Sequence, residues 1–327
     1  MRLGLTLFGL ETSVKDMVEL ARMAEDAGFA QIYIAETVRE PLVPLVAIAT
    51  ATKRIQLGPG IMNISLRSPL LTAQSIAQLD EVSEGRALLG LGVSTPGLLA
   101  PHGVRYEKPL TRMREYVQIV RGLLRGETVS SQGHMYTIPQ SQLEFPLYRR
   151  DLPIYLAAVG PKMHQLAGEV ADGVLTDAAL DPAYVQSAVA QVQEGCQRAG
   201  RDRASVDCGC CLFCAVATNE QHAIEAMQPV LALLLAVQPN FAPNLKRLGL
   251  TEAAAKVQEA FRTGGMMAAA PYVTKAMVKS LTVTGTPLQC RARVEDYIKA
   301  GVHTPILVPV GKNQKEGITA AITAFAS

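Results

Sequence analysis

Apolar residues along this chain follow two alternating rhythms. Short runs that are apolar at every second position, or continuously, read as strands, whereas apolar positions three and four apart read as helices. Strands are predicted over residues 2–9, 31–35, 56–60, 87–91, 154–158, 173–175, 208–217 and 304–308. Helical spacing covers 13–27, 44–52, 69–79, 112–124, 162–170, 183–199 and 288–300. In the first of these helices Val14, Met17, Val18 and Ala21 share a face, and Gly28 ends it. A small hairpin is expected at 128–138, turning at Gln132 and Gly133.

Repeated strand–helix units predict a parallel sheet with crossover helices. Eight such strands favour closure, so the expected fold is α/β, a (β/α)8 TIM barrel forming a single domain over 1–327. One stretch departs from the rhythm. Residues 223–279 are mostly helical in pattern, rich in Ala and Met, and interrupted by Pro239, Pro243, Gly264, Gly265 and Pro271. They read as a helical insertion, of the kind that covers a barrel's site or builds a dimer contact.

Composition narrows the class. The 327 residues are 49% hydrophobic and 18% charged, enough for a large core. A net charge of +2, spread without a basic block, gives no case for nucleic acid. The densest apolar run, 230–237, is too short to span a bilayer and is flanked by Pro229 and Pro239. The opening MRLGLTLFG reads as a strand and not as a secretory signal, so the expected location is cytoplasmic. Six cysteines do not make a disulfide scaffold at this length. Four of them crowd into CGCCLFC, yet they lie within a β-prone run. Alternation sends Cys208, Cys210 and Cys214 to one face and Cys211 to the other. A buried strand fits better than a metal site, and no metal is expected.

Three strand ends carry the candidate chemistry: LGPGIMN at 57–63, GRALLGLGVSTP at 85–96 and IYLAAVGPKM at 154–163. Each apolar run ends in glycine, where a backbone can approach a ligand closely. In a barrel these ends share one rim and make one site. Gly58 and Gly60 around Pro59 favour a bulge, although an ordinary turn reads as well. Val159, Gly160 and Pro161 lead into a helix opened by Lys162, a place where free N–H groups attract phosphate. No G-x-G-x-x-G is present there. Glu36 follows the second strand and suits either acid–base work or a cap of the next helix. The five histidines, His102, His134, His164, His222 and His303, are scattered and read as structural.

Together these segments resemble the bacterial luciferase-like family of barrel oxidoreductases, and most of all its coenzyme F420-dependent branch, which includes methylene-tetrahydromethanopterin reductases. The resemblance rests on LGPGIMNISLRSPLLTAQSIAQLDEVSEGRALLGLG, LAAVGPKMHQLAGEVADGVL, GTPLQCRARVEDYIKAGVHTPILVPVG and, in the insertion, TGGMMAAAPYVTKAMVKSLTVTGTP. It implies a non-prolyl cis peptide at Gly60–Ile61 backing the cofactor ring, with Met62 and Asn63 beside it. It also implies cofactor contacts from Val93, Ser94 and Thr95, and a phosphate seat at Val159, Gly160, Pro161, Lys162 and Met163. Glu36 matches an acidic residue next to the ring. Two positions depart from the pattern. Thr37 stands where many F420 members carry His, and Thr95 stands where many carry an acid.

The resemblance therefore implies hydride transfer between F420 and a small organic substrate, with proton handling left to Glu36, Thr37 or Thr95. An FMN-dependent monooxygenase and a cofactor-binding barrel without catalysis remain the alternatives. A homodimer is expected from the family's habit.

Overall fold

The first strand shows how the barrel is filled. Leu5 and Leu7 pack outward into the main core, while a side chain on Gly4 would meet Ile306 in the barrel interior. The structure, a computed structural model, describes residues 1–8, 11–36, 39–238 and 241–326. In chain order the strands are β1 (Gly4–Leu7), β2 (Gln31–Ile34), β3 (Gln56–Pro59), β4 (Met62–Asn63), β5 (Leu89–Gly92), β6 (Val129–Gln132) and β7 (Thr137–Ser141). They continue as β8 (Ile154–Ala158), β9 (Gly173–Thr176), β10 (Asp207–Val216), β11 (Val283–Gly285) and β12 (Thr304–Pro309). The helices begin with α1 (Val14–Asp26), α2 (Leu42–Ala51), α3 (Pro69–Val82), α4 (Pro96–Leu99), α5 (Pro109–Leu124), α6 (Pro161–Val170) and α7 (Pro182–Arg198). They end with α8 (Glu220–Val237), α9 (Ala242–Arg247), α10 (Thr251–Ala269), α11 (Lys275–Leu281), α12 (Pro287–Lys299) and α13 (Gln314–Phe325).

The main sheet is parallel, in the order β3-β2-β1-β12-β10-β9-β8-β5-β4. Leu57 of β3 bridges to Ala87 just before β5, so the sheet closes on itself. β3 and β4 are two halves of one stave, which leaves eight staves around a TIM barrel. The upper part of β10 leaves β9 and pairs instead with β11, since β12 holds its other edge. β6 and β7 form an antiparallel hairpin where the sequence suggests one, but it turns at His134 and Met135, not at Gln132 and Gly133, and runs on to Ser141. Between β10 and β11 the chain runs through α8–α11. The α10 backbone breaks at Gly265, where φ is 72°. Among the described residues, no helix is long and apolar enough to cross a membrane.

Alternation sorts the side chains into two compartments. Ile32, Leu57, Leu91, Ile154, Val174 and Leu307 point outward against the helices. Tyr33, Leu88, Tyr155, Leu175 and Ile306 fill the barrel, with Ile61 and Cys211 against them. Cys208, Cys210 and Cys214 lie in the outer core, so β10 divides its thiols as its pattern predicts. Glycine supplies the space these large residues need. A side chain on Gly173 would sit 2.2 Å from the Tyr155 ring.

The N-terminal ends of the strands form a polar floor. Asp207 accepts hydrogen bonds from Tyr155 Oη at 2.8 Å and from Thr304 Oγ1 at 3.1 Å, and pairs with Arg2 at 3.1 Å. Arg2 and Gln31 both donate to Gln56 Oε1, and Tyr33 Oη donates to Gln31 Oε1 at 3.1 Å.

Candidate active site

The opposite rim is built where the third stave breaks. Gly60 N–H still donates to Ile34 O at 2.9 Å, but the next peptide, Gly60–Ile61, is cis. Pairing then resumes one stave further on, with Met62 opposite Leu91 and Asn63 opposite Gly92. The Ile61 side chain lies over Gly92, where a Cβ would come within 2.5 Å of it.

Glu36 braces the break. The carboxylate accepts the Asn63 N–H at 2.5 Å, and Glu36 N–H donates to Ile61 O at 3.3 Å. Arg67 stands between two acids: its Nε is 3.5 Å from Glu36 Oε1, and its Nη2 donates to Glu40 Oε1 at 2.6 Å. Glu40 also accepts the N–H groups of Leu42 and Val43, which starts α2. Arg67 Nε is buried and has no hydrogen-bond partner among the described residues. A buried donor without a partner costs stability unless something else satisfies it. Behind it, Tyr116 Oη contacts Thr72 Oγ1 at 2.6 Å, and its ring meets Tyr136 edge-on with centroids 5.7 Å apart.

The other nominated residues that the structure describes follow the ends of β5 and β8 at this rim in different ways. Val93, Ser94 and Thr95 follow β5 directly. Ser94 adopts a φ of 62°, and Thr95 precedes α4 without capping it through its side chain. Gly160 precedes α6, whose first turn has no side-chain cap and where a Cβ on Gly160 would meet nothing within 4 Å. Val159 is half-buried, and Pro161 and Lys162 are exposed. The side chains of Met62 and Met163 are buried in the outer core, so only their backbones reach the rim. Thr37 lies outside the described residues.

Among the histidines, His164 is built into the α6 start. Its Nδ1 contacts Gly160 O at 3.0 Å and its Nε2 contacts Thr176 Oγ1 at 3.3 Å. Burial lowers its pKa to about 4, outweighing the Gly160 contact. His303 Nδ1 accepts the Cys208 N–H at 3.1 Å, at the floor.

Sequence reasoning missed one acid at the rim. Asp177 lies one residue beyond β9, two beyond the inward-facing Leu175, and burial pushes its carboxyl above the usual range. Counting alternation past the predicted strand end at 175 was the signal that could have found it.

Similarity to known proteins extends over nearly the whole chain. Residues 3–304 match the sequence profile of the luciferase-like monooxygenase family. A 5,10-methylenetetrahydromethanopterin reductase of Methanolobus tindarius is 35% identical over 95% of this chain and 97% of its own length. The protein of the same name from Archaeoglobus fulgidus is 34% identical, covering 91% of this chain and 90% of its own. The solved coenzyme F420-dependent tetrahydromethanopterin reductase of Methanopyrus kandleri superposes with a TM-score of 0.90 at 28% identity, over 99% of this chain and 97% of that one. With its interrupted third stave and its match from the first strand to the last, the chain belongs to the luciferase-like monooxygenase family.

Proposed function

We propose that the protein is an F420-dependent oxidoreductase that transfers a hydride between F420 and a small organic substrate, with a methylene-tetrahydropterin as the first candidate. The observation that carries this reading is the bulge at Gly60–Ile61 with the orphaned donor of Arg67 beside it. Relatives named for the same chemistry, at 34–35% identity over nine-tenths of the chain, support it.

The residues present suit a deazaflavin. The Ile61 face would back the ring, and Val93–Thr95 would border it. The uncapped start of α6 at Gly160 offers N–H groups and open space for a phosphate. When bound, the cofactor supplies the hydride. Glu36 serves as a positioning residue, since its carboxylate already holds Asn63 N–H and faces Arg67. Thr95 offers a hydroxyl that can hold a water.

The finer readings follow from surface and composition. Val43 and Val46 of α2 and Leu71 of α3 are exposed apolar residues on adjacent helices, which supports a homodimer through that face. The six free thiols suit a reducing, cytoplasmic compartment. The helical segment α8–α11 serves as a wall of the mouth.

Fluorescence quenching with F420 and with FMN tests the reading. Micromolar or tighter binding of F420 alone is expected. A preference for FMN points to a flavin monooxygenase, and binding of neither points to a barrel without this chemistry.

A further inference from the structure

Hydride transfer to a substrate needs a proton source, and neither Glu36 nor Thr95, the described residues nominated for that task, is a free acid. Glu36 is engaged by a backbone N–H and a guanidinium, and Thr95 carries only a hydroxyl. Asp177 is placed differently. Gly173, Leu175 and Asp177 share the inward face of β9, with Leu175 in the barrel interior, so Asp177 stands one level above Leu175 at the mouth. Counting staves from β2 through β1, β12 and β10 to β9 gives four steps of eight, which places Asp177 across the mouth from Glu36. A ring backed by Ile61 would turn its open side away from that bulge and toward this wall of the mouth.

Among the described residues, no cationic side chain pairs with the Asp177 carboxyl. Asp177 Oδ1 accepts the Ala178 N–H at 2.8 Å, and among the described residues its carboxyl makes no other hydrogen bond or ion pair. β8 brings Ala157 and Ala158 beside it, and β10 brings Cys210 and Cys211. Cys210 Sγ approaches the Asp177 main-chain oxygen at 3.9 Å. In the following loop, Asp181 is paired with Arg247 of α9. His164 on α6 contacts the outward-facing Thr176. A half-buried carboxyl in this setting keeps its proton more tightly than a solvated one.

We propose that Asp177 is the acid of the reaction: its carboxyl group hydrogen-bonds the substrate heteroatom next to the hydride-accepting carbon and gives that atom its proton. The assignment rests on the F420 reading above. The substrate carbon gains the hydride with its electron pair as its bond to nitrogen or oxygen yields a pair to that heteroatom. The heteroatom takes the Asp177 proton, breaking O–H and forming N–H or O–H. Asp177 is left as carboxylate and is recharged from solvent, into which oxidation of the cofactor releases an equal proton.

The test uses full-length wild type, Asp177→Asn and Asp177→Ala. Without cofactor, melting is followed from pH 4 to 8.5. A carboxyl that holds its proton more tightly when folded loses stability as pH rises from its unfolded value through its folded one. The advantage of Asp177→Asn over wild type should therefore grow across that window. With reduced F420 and 5,10-methylenetetrahydromethanopterin, both variants should lose about 100-fold or more in kcat, with KM and F420 affinity within about threefold. The alkaline limb of the wild-type profile should vanish with them. Parallel melting curves for wild type and Asp177→Asn, or full kcat in Asp177→Asn, overturn the role of Asp177 alone. A wild type that does not bind F420, or does not turn over this probe, overturns the functional reading on which the role depends.

Discussion

Asp207 and Asp177 stand on the inward faces of neighbouring strands, one at each end of the barrel. Asp207, on the floor, accepts from Tyr155 and Thr304 and pairs with Arg2. Asp177, at the mouth, accepts one backbone N–H. The same contrast extends to the arginines: Arg2 of the floor donates to Gln56 and pairs with Asp207, whereas Arg67 of the rim is ion-paired to Glu36 and Glu40 but its Nε makes no hydrogen bond among the described residues. Polar groups of the floor are consumed by one another and serve stability. Those of the rim are held in place yet left with capacity for something outside the chain.

The sharpest way to break this comparison is at the floor. Asp207→Ala strands the Tyr155 and Thr304 hydroxyls and Arg2, and should cost about 3 kcal/mol in urea unfolding. F420 affinity should stay within about threefold, or 0.6 kcal/mol. An equal loss of binding would mean that the two ends are not separable.

His164 sharpens the contrast from the rim. Its folded pKa is about 4, against 6.5 for the free side chain, so the unfolded chain binds the extra proton between those values. Stability from this group is therefore present above pH 6.5 and is lost as pH falls toward 4. Between pH 7 and pH 5 the loss should be about 2 kcal/mol. Chemical unfolding of wild type and His164→Gln at the two pH values measures it, and the variant should lack that part of the slope.

Glu36→Gln should act on function more than on folding. F420 binding, followed by quenching, should weaken about tenfold, or 1.4 kcal/mol, with stability changed by less. The smallest effect belongs to Lys162→Ala. Lys162 is exposed at the start of α6, and its loss should weaken binding by about twofold, an effect that added salt should mask.

How much of this was legible before the fold was seen depends on how local each signal is. The eight staves were readable because alternation and helical spacing are written into consecutive residues. The hairpin was readable from the glycine at 133, but its turn falls later than that signal suggests, at His134 and Met135, with Gln132 still paired to Thr137. β11, only three residues from Val283 to Gly285, is too short to show a rhythm. α13 was overlooked although Ile318, Ala321, Ile322 and Phe325 keep helical spacing and are buried. The cis peptide at Gly60–Ile61 was reachable only through resemblance, because it depends on what packs around the bulge. The pairing of Glu36 with Arg67 joins residues from two staves, and no spacing along the chain announces it. Asp177 was hidden by a strand end placed at 175, one residue short of the observed Thr176.

The sorting of thiols on β10 also bears on how the protein ages in air. Three of the four face a packed interior, and burial pushes Cys208 and Cys211 up to about 12 and holds Cys210 well above the ordinary thiol range. A thiolate, not a thiol, reacts with peroxide or alkylating reagents. A strand that looks in one dimension like a redox hot spot is thus chemically quiet for as long as the barrel stays closed, and its sudden reactivity toward a thiol dye would time the moment of unfolding.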